Sequence, residues 1–192
     1  MSDEEFGFEL EHYTRESEEG VRGTVGRFGQ VRVFHTTGPW KSGDVFRACL
    51  VGEHLPVTDL TSRGFGGEPA VTNAAALTVG GVTAGLRYNM LGVSRAQRAL
   101  RISVGDRMYT YARTSASGVE LSREGVQVAL SNGRLSKGLG SRRRRKGTVR
   151  GLADATDLAV ALIFEAANVS ALSAGRALVS APFKAVFMTP GE

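Results

Sequence analysis

The sequence predicts a mainly β (α+β) fold class, in which an antiparallel β-barrel-like or curved sheet packs around one apolar helix near the C-terminus, at about residues 155–173. Three observations support this prediction. Many short segments alternate apolar and polar residues, as half-buried strands do. Glycine accounts for 25 of the 192 residues and proline for only 5, which is typical of a chain with many turns. One late segment is apolar on every side, as a fully enclosed helix must be.

The first half of the chain contains several predicted strands. Residues 6–13 place Phe and Leu side chains on one face and glutamates on the other. Residues 30–36 and 44–51 follow the same pattern, and further strands are expected within residues 70–92, which are rich in Ala, Gly, Val and Thr. Residues 16–20 and 64–69 have the polar, Gly and Pro composition of a turn and a loop.

The clearest pattern covers residues 99–134, where four strands are expected to form a meander. Gly105-Asp106 suits a two-residue hairpin turn, because glycine accepts the positive φ that such a turn needs. Asn132-Gly133 is a second hairpin signal, and a fifth strand is expected from Arg134. Tyr109 and Tyr111 share one strand face, where core packing is the expected role and base stacking the alternative.

The predicted helix follows this meander. Asp154 or Thr156 can cap its N-terminus, and the residues from Leu158 onward are apolar around the whole circumference. Such a helix must be surrounded by protein. Residues 173–192 are expected to form either a strand or a short helix.

This order of elements is similar to the tubby-like C-terminal architecture, which tubby domains, phospholipid scramblases and LURP-one-related proteins share. The meander at residues 99–134 and the helix at residues 157–172 carry the resemblance. It implies a barrel wrapped around the helix, and phosphoinositide binding through basic residues. The basic motif of that family is not matched residue by residue, so no individual role is transferred. The apolar residues after the helix depart from the family pattern and leave a β-sandwich packed by helices as an alternative.

Charge divides the chain into an acidic N-terminal arm, residues 1–20, and a single β-rich domain, residues 21–192. The arm holds eight acids and one base, whereas the domain holds 23 bases and 11 acids. This asymmetry suggests a polyanion-binding surface, an acidic arm that shields one, or simply a solvated acidic terminus.

The basic run, Arg142, Arg143, Arg144, Arg145 and Lys146, is the candidate anion-binding site. Five adjacent like charges repel one another, so the sequence predicts a solvent-exposed polybasic loop at residues 141–147. These side chains could neutralise the phosphates of a nucleic acid or contact an anionic membrane surface. A loop that only aids solubility is the alternative.

Enzyme motifs are absent from the sequence. It contains no GxSxG elbow, no GxxxxGK[ST] loop and no HxH or HExxH spacing. No metal and no cofactor are expected, and Cys49 is interpreted as a buried structural thiol. An active site assembled from distant residues stays open as a third possibility.

The sequence therefore predicts a non-enzymatic, cytoplasmic binding protein that presents residues 142–146 to an anionic membrane surface or a nucleic acid. The single cysteine, the acidic N-terminus and the lack of a transmembrane segment support the expected location. The alternative is a structural or assembly subunit of a homo- or hetero-oligomer, in which the acidic arm docks on a neighbouring copy or partner.

Overall fold

A computed structural model describes residues 5–37, 44–63, 71, 74–89, 94, 97–132 and 144–167. Within these residues the protein has twelve strands and one α-helix. The strands are β1 (Glu5–Arg15), β2 (Glu18–Thr24), β3 (Gln30–Thr36), β4 (Val45–Gly52), β5 (Thr58–Arg63), β6 (Ala76–Val79), β7 (Val82–Arg87), β8 (Leu100–Val104), β9 (Arg107–Arg113), β10 (Gly118–Arg123), β11 (Val126–Asn132) and β12 (Arg144–Gly151). The helix α1 spans Ala155–Ile163 and continues into a 3-10 turn, Phe164–Ala166.

The strands form one closed antiparallel barrel, in which each strand pairs with the next and β12 returns to β1. In this closing pair, Glu5 lies opposite Arg150 and Glu11 lies opposite Arg144. The predicted mainly β fold class with one helix near the C-terminus is therefore confirmed. A closed barrel has no free sheet edge, so the described sheet is not a sandwich.

The barrel interior holds the apolar side chains that alternate along each strand. Phe8 and Leu10 of β1 point inward, and Tyr109 and Tyr111 of β9 are each only 1% exposed. The tyrosine pair therefore belongs to the core, as expected. Gly147 of β12 also faces inward, and a Cβ there would lie 2.1 Å from the Phe8 ring. Glycine is needed at this position because the aromatic ring fills the space of a side chain.

Helix α1 lies inside the barrel, which explains why it has no polar face. Asp154 caps it by accepting hydrogen bonds from the backbone N–H groups of Thr156 and Asp157, and the Asp157 side chain accepts one from the backbone N–H of Asp154 in return. Every residue from Asp157 to Ile163 is buried. The predicted helix at residues 155–173 begins as expected, but its α-helical part ends at Ile163. Residues 168–192 lie outside the described residues.

The described part of the acidic segment belongs to the barrel. From Glu5 onward it forms β1 and the start of β2, and the turn expected at residues 16–20 is limited to Glu16 and Ser17. The expected first strand is confirmed. The carboxylates are accommodated on the outer face because the bases of β12 lie directly opposite them.

Two expectations about the region before α1 are corrected. Asn132 lies opposite Arg145, so Asn132-Gly133 is not a two-residue hairpin. The described fifth strand is Arg144–Gly151, and Arg134, its expected first residue, lies outside the described residues. Residues 144–147 of the predicted polybasic loop belong to β12. These residues form a strand because their backbones pair with β1 and β11. The glutamates of β1 that lie opposite Arg144 and Lys146 offset the repulsion among the bases.

The barrel has two different ends. At the entry end, residues 152–154 lead into α1, beside the short turns at Gly105-Asp106 and Glu124-Gly125. Gly105 has a φ of 58°, as the predicted turn requires. At the opposite end, the exit end, the chain leaves the 3-10 turn. Because the strands are antiparallel, β3, β5, β7 and β11 also end there, next to residues 38–43, 64–70, 90–93 and 133–143. Those four segments are outside the described residues.

Candidate anion-binding surface

The structure separates the members of the basic run. Arg144, Arg145 and Lys146 form the first residues of β12, at the exit end. Since successive strand residues point to opposite faces, Arg144 and Lys146 face outward and Arg145 faces the barrel interior. Arg142 and Arg143 lie outside the described residues.

Arg145 is a structural residue of the exit end. Its Nη2 donates to Glu165 Oε1 at 2.6 Å, and its Nε donates to Glu165 Oε2. Its Nη1 donates to the carbonyl of Ser117 at 3.0 Å and to Asn132 Oδ1 at 2.8 Å. The Arg145 side chain is 13% exposed and that of Glu165 is 4% exposed. The guanidinium N–H groups of Arg145 donate to acceptors inside the protein, so Arg145 is not a candidate for binding an external anion.

Arg144 and Lys146 lie on the outer wall and form weak ion pairs. Arg144 Nη1 lies 3.4 Å from Glu9 Oε2, and Lys146 Nζ lies 3.4 Å from Glu9 Oε1. The Arg144 and Lys146 side chains are 56% and 59% exposed. Exposed pairs of this length contribute about 0–1 kcal/mol each. These ion pairs therefore hold the two bases to Glu9 only weakly.

The acidic segment shields part of the basic run within the same chain. Glu11 lies 3.4 Å from Arg144 Nη2, and Glu5 lies 3.2 Å from Arg150 Nε further along β12. The described carboxylates of β1 thus have partners in their own barrel wall. Docking of this segment on a neighbouring copy would require these pairs to be exchanged, and it stays a prediction.

The entry end contains a buried charge cluster that the local sequence pattern does not predict. The Asp157 side chain is completely buried, and Arg123 donates to its two oxygens from Nε and Nη2 at 2.7 Å each. Tyr109 adds a 3.0 Å hydrogen bond to Asp157 Oδ1, and Arg107 pairs with Asp154 at 2.6 Å. Burial raises the pKa of Tyr109 to about 12. The donors saturate Asp157, so the cluster anchors the helix and offers no free base for catalysis.

Cys49 does not have the environment of an activated nucleophile. It lies on the outer face of β4 and is half-buried rather than fully buried as expected, with Sγ 3.1 Å from Asp59 Oδ1. Burial and the neighbouring carboxylate raise its pKa to about 11, so the thiol is protonated at neutral pH. Within the described residues, no group of three or more His, Cys, Asp or Glu side chains is arranged to hold a metal ion.

Comparison with protein-family models, with curated proteins and with solved structures gives no match for this chain. In the part of the chain that the structure describes, no helix has the length and apolar character needed to cross a membrane.

Proposed function

We propose that this chain is a non-enzymatic binding protein that uses the exit end of its barrel to hold an anionic partner, a membrane phospholipid surface ahead of a nucleic acid. One observation carries the proposal. Arg144 and Lys146 are more than half exposed at the start of β12, their ion pairs with described residues are 3.4 Å long, and they directly continue Arg142 and Arg143 along the chain.

The architecture supports a membrane surface as the first choice. A closed antiparallel barrel around one apolar helix is what the resemblance to the tubby-like architecture implies. Proteins of that family bind phosphoinositides through basic residues. No position of this chain matches their basic motif, so the support concerns the class of ligand and not individual contacts.

The expected strength of binding follows from the number of bases in residues 142–146 that are not held inside the barrel. A basic residue near an anionic bilayer contributes about 1 kcal/mol. Four such residues remain once Arg145 is assigned to the barrel interior, and the two described ones must first exchange their glutamates. The resulting attraction is electrostatic, so it should weaken strongly between low and physiological salt.

The test is co-sedimentation with neutral and with anionic liposomes at low and physiological salt. The test variant replaces Arg142, Arg143, Arg144 and Lys146 by Gln and retains Arg145, because loss of Arg145 would disturb the barrel itself. The control variant makes the same replacement at three outer-wall arginines that do not line a depression with Arg144: Arg32, Arg47 and Arg150.

The proposal predicts that the test variant fails to sediment with anionic vesicles, whereas the control variant binds within about threefold of the wild type. Undiminished sedimentation of the test variant would overturn it. A DNA competitor that removes the wild type from the vesicles would change the partner to a nucleic acid. Absence of binding to both vesicles and DNA would show that the basic run is only solvated, and the proposal would be wrong.

A further inference from the structure

An open groove of about 620 Å³ lies where β7 ends and β8 begins, at the exit end of the barrel. Two arginines line it, together with side chains that carry amide and hydroxyl groups: Arg87, Arg101, Tyr88, Asn89 and Gln97. We call this feature the arginine groove. No described residue of the basic run contributes to its lining.

The two arginines of the groove lie directly opposite each other, Arg87 on β7 and Arg101 on β8. Like charges at directly opposed positions of an antiparallel pair destabilise the sheet. Among the described residues neither side chain forms an ion pair with a carboxylate, and Arg101 donates only to Thr110 Oγ1 at 2.5 Å. The repulsion between them is therefore not offset within the described part of the chain.

A third arginine stands beside the groove. Arg98 follows the lining residue Gln97, and its Nε is buried without a hydrogen-bond partner. Its charge acts on Tyr88, whose pKa is raised mainly by burial. A buried guanidinium nitrogen without an acceptor is costly, because the donor has lost water and gained nothing in exchange. Arg87, Arg98 and Arg101 thus carry positive charge that no ion pair among the described residues neutralises.

The sequence around the groove contains almost no acid. Residues 69–119 include six arginines, and Asp106 is the single acid among them. Asp106 lies in the turn between β8 and β9, at the entry end, so it is remote from the groove. The nearest acid further along the chain, Glu120, faces Ala112 on β9. Since no described carboxylate pairs with Arg87 or Arg101, an external anion can take that place.

We propose that the arginine groove binds a phosphate group, held between Arg87 and Arg101 with Arg98 supplying further positive charge. The planar fork of a guanidinium matches two phosphate oxygens, and two opposed forks suit a dianion better than a carboxylate. This site is separate from residues 142–146, so it does not depend on the function proposed for them.

The test uses titration calorimetry with glycerol 3-phosphate and with inorganic phosphate, with acetate as the monovalent comparison. The test variant is Arg87→Gln with Arg101→Gln. The matched control, Arg47→Gln with Arg150→Gln, removes two exposed arginines that already pair with Asp59 and Glu5. We expect at least a tenfold loss of phosphate affinity in the test variant, a change below threefold in the control, and no binding of acetate.

The Tm of each variant shows whether a loss of phosphate binding is due only to misfolding. In phosphate-free buffer the test variant should have a Tm equal to or above that of the wild type, because one source of like-charge repulsion is gone. Phosphate should then raise the Tm of the wild type and the control but not that of the test variant. No binding of either phosphate compound to the wild type, or equal binding to the test variant, overturns the proposal.

A further experiment with vesicles shows whether the phosphate group belongs to a lipid or to a soluble molecule. If glycerol 3-phosphate displaces the protein from phosphatidic acid vesicles and the groove variant loses those vesicles, a lipid headgroup is the source. If the groove variant still binds the vesicles but no longer binds glycerol 3-phosphate, the groove binds a soluble phosphate ester and the basic run binds the membrane surface. Phosphate binding without any vesicle binding supports the groove and contradicts the membrane surface as the partner of residues 142–146.

Discussion

Arg145 and Glu165 form a two-point ion pair that joins β12 to the 3-10 turn after α1. Both side chains are largely shielded from solvent, at 13% and 4% exposed. The ring of Phe164, which precedes Glu165 in the chain, packs on that of Tyr111 with centroids 4.7 Å apart. The pair therefore attaches the C-terminal end of the helix to the barrel wall. It also leaves Arg145 unable to bind an external anion.

Removing the base of this pair should destabilise the protein. Arg145→Gln leaves the Glu165 carboxylate buried without its counter-charge, and the expected loss in the free energy of unfolding is about 3 kcal/mol. Urea unfolding followed by circular dichroism measures it. The control Arg144→Gln removes an exposed neighbour and should cost about 0.5 kcal/mol or less. Adding Glu165→Gln to Arg145→Gln should recover much of the loss, and equal costs for Arg144→Gln and Arg145→Gln would contradict this assignment.

A similar substitution tests the cluster at the entry end. Asp157→Asn removes the charge that two arginines share inside the barrel, and it replaces one oxygen acceptor of Arg123 by an amide donor. The expected cost is about 3 kcal/mol. Thr156→Ala is the matched control, because Thr156 contributes its backbone N–H to the cap. The prediction fails if both variants unfold at the same urea concentration.

Asp154 should make stability depend on acid pH. Partial burial acts to raise its pKa, but hydrogen bonds from the backbone N–H of Asp157 and from Arg107 outweigh burial, so the pKa lies below its usual value. A carboxyl group with a lowered folded-state pKa stabilises the fold above its unfolded pKa of about 3.9, and this stabilisation is lost as the pH falls through the folded pKa.

The measurement is the difference in unfolding free energy between the wild type and Asp154→Asn from pH 7 down to pH 2. Asparagine caps a helix about as well as aspartate, so the variant removes the charge and keeps the cap. The wild type should be the more stable protein at pH 7, and the difference should shrink below about pH 4. A difference that is constant over this range would show that the charge of Asp154 has no role in stability.

Gly147 and Phe8 provide a packing prediction. The Cβ of alanine at position 147 would lie 2.1 Å from the Phe8 ring, so Gly147→Ala should cost about 1–3 kcal/mol by overpacking. The Tm of the variant measures the effect. Phe8→Leu frees space on the opposing strand, so the double variant should lose less stability than the two single costs together. Additive losses would mean that the two positions do not compete for the same space.

Local patterns in the sequence were sufficient for much of the fold. The alternation in residues 6–13 predicts a strand that the structure shows as Glu5–Arg15, and the turn glycine Gly105 has the positive φ expected of it. The position of the helix start also follows from local chemistry, because Asp154 is a good N-cap next to an apolar run. Each of these features depends on residues only a few positions apart.

The candidate site could be predicted only in part, because it depends on strand register. In a β-strand a shift of one residue exchanges the two faces, so only the pairing of β12 with β1 and β11 decides that Arg145 points inward and that Arg144 and Lys146 point outward. The same holds for Arg87 and Arg101, which only strand pairing places directly opposite each other. The one signal in the sequence is that residues 87–101 contain no acid.

By itself, the sequence determined the alternation of the strands, the enclosed helix and the excess of positive charge after residue 20. Only the tertiary structure decided which bases are neutralised, since Glu9, Glu11 and Glu165 reach the basic run by closing the barrel and by placing the helix inside it. An ion pair depends on which residues are close in space, whereas the alternation of a strand depends only on residues that are close in the sequence. A charge run therefore predicts a basic surface only after its long-range partners have been located.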